Sequence, residues 1–560
     1  MRTFFMVIIL ATVLLFVPAS VFAQVPQVVS TIPEQNQRNV ADSTNISVTF
    51  DTDMDPASIN DSTFVINGMS TGLHGGTLTY DSLTRTGTFD PAENFASGEI
   101  ATAVLTEGVK SVGGIPLGSG FAWSFTLEAG EASAIFSDHT DYGVGAGPPY
   151  VFAADLDGDG DLDLATANSN SDNVSVLLNN GDGTFATHST YAVGSFPVTV
   201  FAGDFDGDGD LDLAVANFNS SNVSVLLNNG DATFPAPAVY AVGLTPVPVF
   251  AADLDGDGNL DLATGNFSSS NISILLNNGD GTFATQTVYD SGPYPFSIYP
   301  SDLDGDGDLD LTAANMDISD VSVLLNNGDG TFAARTVYTA GYIPSSVFNA
   351  DLDGDGDLDL ATTNAGSNDL SVLLNNGNGT FGAQTVYAAD SIPGFVIAAD
   401  LDGDGDLDLT AANNGSDNVS VLLNNGDATF ATQTAYDVGS SPGNVFAADL
   451  DDDSDLDLVT ANLNSNNISV LFNKAGGCDY VVGDVNGSDS YNGLDITYGV
   501  NFFKGGSDPM CDTCLLCPDW WYCGDVNGSC SYNGLDITYG VNYFKGGADP
   551  IPCGDCPPVE

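Results

Sequence analysis

The sequence predicts a mainly β chain: an antiparallel β-sandwich, a seven-bladed β-propeller of four-stranded units, and a small α-helical domain at the end. Three observations predict it. Short strand patterns broken by turns fill residues 24–130, a 49-residue unit then repeats seven times, and all eight cysteines fall in the last 83 residues. The boundaries drawn from these shifts are 1–23, 24–130, 133–476 and 478–556.

Residues 1–23 read as an export signal, with Arg2 as the basic start, Phe4 to Val17 as the apolar run, and cleavage after Ala23. The run is short for a membrane anchor and no second span follows, so the expected location is secreted or cell-surface associated. Composition excludes a further class. Eight Lys and Arg against 75 Asp and Glu cannot neutralise a phosphate backbone, so no nucleic acid partner is expected. Glu occurs at only seven positions and nowhere between 132 and 559, so the acids are overwhelmingly Asp, the short carboxylate of tight metal loops.

Residues 24–130 alternate as short strands, for example Ile46-Ser-Val48-Thr-Phe50, Thr77-Leu-Thr-Tyr80 and Phe121-Ala-Trp123-Ser-Phe125. With Pro33, Asn39-Val40, Met54-Asp55, Phe89-Asp-Pro91 and Gly98, the segment resembles the bacterial Ig-like domain of S-layer-type surface proteins. That resemblance implies a spacer. It holds no catalytic cluster, and His74 is expected to be an ordinary loop residue.

The repeat region carries one acidic loop per unit. Positions 1, 3, 5, 7 and 9 of the first loop are Asp155, Asp157, Asp159, Asp161 and Asp163. The next three loops place Asp204, Asp206, Asp208, Asp210 and Asp212, then Asp253, Asp255, Asp257, Asn259 and Asp261, then Asp302, Asp304, Asp306, Asp308 and Asp310. The last three place Asp351, Asp353, Asp355, Asp357 and Asp359, then Asp400, Asp402, Asp404, Asp406 and Asp408, then Asp449, Asp451, Asp453, Asp455 and Asp457. Alternate carboxylates on a tight loop are the donor set of a hard divalent cation. Calcium takes six to eight oxygens and tolerates irregular geometry, so seven calcium sites are expected here. Positions 1, 3 and 5 offer carboxylates, position 7 a backbone carbonyl, and position 9 a closing carboxylate, while Gly160 permits the turn. The seventh loop has Asp452 and Ser454 where the others have glycine, and is expected to be the weakest.

Each unit parses into four strands, in the first Val151–Ala154, Leu162–Asn168, Val174–Leu178 and Thr184–Tyr191. Four-stranded units of this length are propeller blades. The fourth-strand Phe and Tyr first appear at Phe136 and Tyr142, ahead of any acidic loop, and no fourth strand follows Phe472. Residues 134–142 should therefore complete the last unit and close the ring, leaving no free sheet edge. The order of acidic loop, Asn-Gly turn and Gly-Thr-Phe resembles FG-GAP repeats, VCBS-like and of the integrin-alpha type, over about 340 residues.

Antiparallel strands put the acidic loops at one end of the ring and the variable loops at the other. Those variable loops carry Phe196, Leu244, Tyr294, Tyr342 and Ile392 before the repeat proline, and Phe218, Phe267 and Met316 after the second strand. The seam copies are instead Ala146-Gly147 and Ser440-Ser441. Clustered exposed apolar groups mark interaction sites, so these eight residues form the expected face for a surface glycan or protein. Propellers of the type it resembles use this end, which adds to the expectation.

The repeat region has no Glu or Cys and a single Arg, Arg335, and His139 and His188 occupy equivalent repeat positions. No group suited to acid–base catalysis stands out, so no catalytic residue is assigned.

The last domain has two loop–helix copies. The first offers ligands at Asp484, Asn486, Ser488, Asn492 and Asp495 with Ser490 at position 7; the second offers Asp525, Asn527, Ser529, Asn533 and Asp536 with Ser531. The copies are EF-hand-like and resemble a type I dockerin, which implies up to two further calcium ions and a cohesin-type partner. They depart from that pattern with Ser at position 5 and Asp at position 12. The even cysteine count in an exported module reads as disulfides, with zinc at Cys511-x-x-Cys514 and Cys553-x-x-Cys556 as the alternative. The expected whole is a secreted calcium-binding adhesion protein whose tail docks to a cohesin-type or envelope partner. The alternatives are a dockerin-borne polysaccharide lyase or hydrolase, and a purely structural envelope protein.

Overall fold

The computed structural model describes residues 25–130 and 132–475. The export signal and the cysteine-rich loop–helix domain lie outside the described residues. Among those residues the structure is almost entirely β, its single helical turn being Pro56–Ser58. None of their helices is long and apolar enough to cross a membrane.

The first domain is a sandwich of two four-stranded antiparallel sheets. One orders Val28–Ile32, Ile46–Phe50, Thr86–Pro91 and Gly76–Asp81; the other Gly72–Leu73, Phe64–Gly68, Ile100–Leu105 and Phe121–Thr126. Period-two alternation turns Ile46, Val48 and Phe50 inward, where they meet Phe64, Trp123 and Phe125 in one core.

Each repeat then makes one antiparallel sheet. In the first, Tyr150–Ala154, Asp163–Asn168, Asn173–Leu177 and Ser189–Ala192 lie side by side. The first three strands are buried on both faces because neighbouring sheets cover them, which is why they read as near-continuous apolar runs. Seven such sheets follow one another among the described residues, and the innermost strand of the first packs against that of the last. Thr140–Gly143 pairs with Asn467–Leu471 and supplies the fourth strand of the last sheet, while Ala132–Phe136 pairs with Asn473–Ala475.

One boundary differs from the sequence reading. The fourth strand is Ser189–Ala192, shorter than the expected Thr184–Tyr191. Phe185 belongs to the preceding loop, where it bridges Asn179 and meets Tyr142 of the adjoining sheet edge-on at 5.2 Å. The same pair recurs around the ring, including Phe136 with Tyr436 across the seam at 5.2 Å. Burying the ring between two sheets uses the residues that would otherwise extend the strand. His139 and His188 likewise precede the strand, each placing Nδ1 within 2.9 and 2.8 Å of a neighbouring sheet's carbonyl, at Asp437 and Gly143.

The sandwich sits on the acidic-loop end of the ring. Asp155 N–H donates to the Ser70 carbonyl at 3.1 Å, Ala122 to Gly307 at 2.8 Å, and Gly130 to Ser454 at 2.6 Å. The approach is close enough that a Cβ on Gly120 would stand 2.5 Å from the Cα of Gly256. Only glycine fits there.

Candidate functional site

In each acidic loop the position 1 carboxylate organises the backbone. Asp155 Oδ1 accepts from Gly158 N–H at 2.8 Å and Oδ2 from Gly160 at 3.1 Å. Gly158 and Gly160 have φ of 76° and 97°, left-handed values that glycine reaches without strain. The position 9 carboxylate closes the loop from a buried site: Asp163 accepts from Leu156 N–H at 3.2 Å and Asn179 N–H at 2.8 Å.

These constraints bring three carboxylates together. Ligand oxygens of Asp155, Asp157 and Asp163 lie within 4.8 Å of one another, as do those of Asp204, Asp206 and Asp212. In the next three loops the trio is formed at positions 1, 3 and 5, by Asp253, Asp255 and Asp257, by Asp302, Asp304 and Asp306, and by Asp351, Asp353 and Asp355. The position 3 carboxylates are incompletely satisfied: Oδ1 of Asp157, Asp206, Asp255, Asp304 and Asp451 is buried with no hydrogen-bond partner. Buried carboxylate oxygens that have no protein partner and face other carboxylates are costly alone, and this donor set fits a hard divalent ion.

The electrostatics agree. Burial, reinforced by neighbouring carboxylates, pushes Asp163, Asp212 and Asp359 up to about 7, Asp310 and Asp408 to about 8, and Asp261 and Asp457 to about 9. At position 1, burial raises Asp253 and Asp302 to about 7 and Asp400 and Asp449 to about 6.

Position 7 behaves in two ways. Asp161 Oδ2 lies 2.7 Å from where a Cβ on Gly181 would stand, and Asp210, Asn259, Asp308, Asp357 and Asp406 lean on the equivalent glycines. Those side chains rest on the turn, leaving the backbone carbonyl for the loop. The seventh unit has Ala475 at that repeat position, and Asp455 is buried with both carboxylate oxygens unpartnered. Asp452 and Ser454 take φ of 63° and 75°, so L-residues adopt the conformation that glycine holds elsewhere.

At the other end, the structure brings the two sets of variable loops together. Phe218 N–H donates to the Phe196 carbonyl at 2.9 Å and Met316 N–H to Tyr294 at 3.2 Å. The Phe196 and Phe218 rings stand 5.8 Å apart, and Phe267 lies 4.8 Å from Tyr294. Tyr294, Tyr342, Leu244 and Ile392 are 39%, 61%, 60% and 47% exposed. Phe296, missed in the sequence reading, joins Phe267 at 6.1 Å. Its place two residues from Tyr294, just past the repeat proline, was the available signal.

Two more features escaped the sequence reading. Phe152, Phe201, Phe250, Tyr299, Phe348 and Phe446 line the axis with Ile397, neighbouring rings 4.6–5.3 Å apart, and a cavity of about 190 Å³ separates them from the sandwich. Their 49-residue spacing was visible. His74 also proved less ordinary than a loop residue: its ring lies 4.2 Å from Phe95 and Nε2 is 2.7 Å from Thr71 Oγ1, and burial lowers it to about 4.

The profile of the FG-GAP-like repeat matches residues 155–215, 204–264, 253–313, 302–362, 351–411 and 400–460, and that of the bacterial Ig-like domain matches residues 23–127. No curated protein matches the chain. Among solved structures, an Agrocybe aegerita lectin described for recognition of non-reducing terminal N-acetylglucosamine is 22% identical, covering 73% of this chain and 97% of its own, with a TM-score of 0.39. Virginiamycin B lyase from Staphylococcus aureus is 11% identical over 60% of this chain and 99% of its own, with a TM-score of 0.43. An auxiliary nutrient binding protein from Bacteroides ovatus is 9% identical over 81% and 99%, with a TM-score of 0.36.

Proposed function

The chain belongs to the family of FG-GAP-like repeat proteins, and on that premise we propose that it is an exported, calcium-loaded binding protein built on a seven-bladed β-propeller. The acidic loops hold calcium, which screens the clustered carboxylates and stiffens one end of the ring. The other end presents the aromatic and aliphatic groups that meet a ligand. The observation that carries this reading is the division of labour between the two ends: orphaned carboxylate oxygens under the sandwich, and exposed Tyr294, Tyr342 and Leu244 on the open end.

The ligand is a neutral surface glycan or a protein. A net charge of −67 repels acidic polymers, while aromatic side chains offer stacking area at low entropic cost. The C-terminal domain, with the residues of its two loop–helix copies and its cysteines, anchors the protein to a cohesin-type or envelope partner. A glycan array and a surface-protein capture, each run with calcium and with chelator, test the reading. Calcium-dependent retention on one class of neutral ligand is the expected result, and no retention on either would remove the binding role.

A further inference from the structure

Arg38 of the sandwich reaches into the acidic loops of the ring. Its Nε lies 3.6 Å from Asp351 Oδ2, its Nη2 lies 3.4 Å from Asp406 Oδ1, and Nη1 donates to the Asp351 carbonyl at 3.3 Å. Asp351 is position 1 of the fifth loop and Asp406 position 7 of the sixth. Two neighbours seat the same segment: Asn36 donates to the Gly356 carbonyl at 2.9 Å and Gln35 to Asp302 Oδ2 at 3.3 Å. The sequence has only eight basic side chains, and among the described residues Arg38 is the one that forms an ion pair with an acidic loop. Its ion pairs are confined to the fifth and sixth loops, while Gln35 of the same segment reaches the fourth.

We infer that Arg38 is a tethered cation that competes with calcium at the fifth loop and links the seating of the sandwich to the filling of that site. The inference rests on the reading that the loops take calcium. Arg38 satisfies the Asp351 carboxylate when the loop is empty, and a guanidinium and a dipositive ion sharing one carboxylate repel each other. For charges several ångströms apart, that repulsion amounts to about tenfold in affinity even at a water-like dielectric. By reciprocity, whatever Arg38 subtracts from calcium affinity, calcium subtracts from the seating of the sandwich. The fifth loop is then a weaker calcium site than a loop of the same sequence with no cation beside it.

The test is calcium titration by calorimetry into the chelated full-length protein. R38Q should tighten one site by about tenfold. R38K should stay near the unsubstituted protein, and R85Q, which removes a charge paired with Asp53 on the sandwich, should change nothing. In chelator, R38Q should be cut severalfold faster by protease in the connection that follows Thr126. R38M, which keeps the aliphatic stem, serves as a second neutral variant should R38Q fail to fold. Unchanged or weakened calcium affinity in both neutral variants would overturn the competition. If the unsubstituted protein bound no calcium, the calcium reading itself would fall, a result distinct from binding without competition.

Discussion

Asn179 donates its side-chain amide to the Leu450 carbonyl at 2.9 Å, tying the turn of the first unit to the seventh acidic loop. The same link runs round the ring, from Asn228 to Leu156 at 2.7 Å through to Asn473 and Leu401 at 2.8 Å. Asn179 also donates its backbone N–H to Asp163, the closing carboxylate of its own loop. One residue therefore couples loop closure within a unit to contact between units, and at the seam it joins the two ends of the repeat region.

Asn179→Ala should destabilise the ring markedly. It leaves the buried carbonyls of Leu162 and Leu450 without their donor, at a cost of about 1–3 kcal/mol. Asn180→Ala removes only two exposed bonds, to the Thr184 carbonyl and hydroxyl, and should cost far less. Thermal melts in saturating calcium check this; equal losses in the two variants would deny the seam bond its role.

Calcium should reverse the pH dependence of stability. Without metal, the position 9 carboxylates have folded values of about 7 to 9 against an unfolded value near 4. The folded state thus holds more protons than the unfolded one between these limits, and stability falls as pH rises. The chelated protein should melt higher at pH 5 than at pH 8. In calcium the order should invert, because protons displace the ion at low pH, and each site filled at ten times its Kd adds about 1.4 kcal/mol. A chelated protein that gains stability as pH rises would contradict the burial of these groups.

The sequence revealed what repeats and little of what joins. Regular recurrence exposed the acidic loops, the repeated Phe and Tyr and the strand that completes the last sheet, because each is written seven times. Arg38 occurs once, in another domain, and nothing in its local sequence points to Asp351, which lies 313 residues away. Asp455 was legible as an acid but not as a buried one, since the other units place a turn glycine twenty residues later and this one places Ala475 in a strand. The fourth strand was drawn too long because Phe185 suits a strand by propensity, yet ring stacking against Tyr142 decides its place.

Restoring glycine in the seventh loop should stabilise the protein. Asp452 and Ser454 hold left-handed φ values that cost L-residues about 1–2 kcal/mol each, partly offset by the entropy that glycine loses on folding. The pair Asp452→Gly and Ser454→Gly should gain about 1 kcal/mol in net stability, and should tighten calcium at this loop by removing one repelling charge. Melting and calcium titration of the double variant measure both. A loss of stability would mean that the entropy glycine loses on folding outweighs the backbone strain.

The two ends of the ring should separate binding from stability. Tyr294 and Tyr342 are exposed, so Tyr294→Ala with Tyr342→Ala removes stacking surface and little packing. A hot-spot aromatic typically costs 2 kcal/mol or more on truncation, about thirtyfold in affinity, so the double variant should lose binding on the array while melting near the parent temperature. Asp206→Ala acts at the opposite end, where it deletes a carboxylate whose buried oxygen lacks any protein partner. It should lower the melting temperature in calcium yet, in chelator, leave it unchanged or raise it by removing repulsion. Its effect on ligand affinity should follow only from lost stability. Intact binding in the tyrosine variant, together with loss of binding in a folded Asp206→Ala, would place the ligand at the acidic end instead.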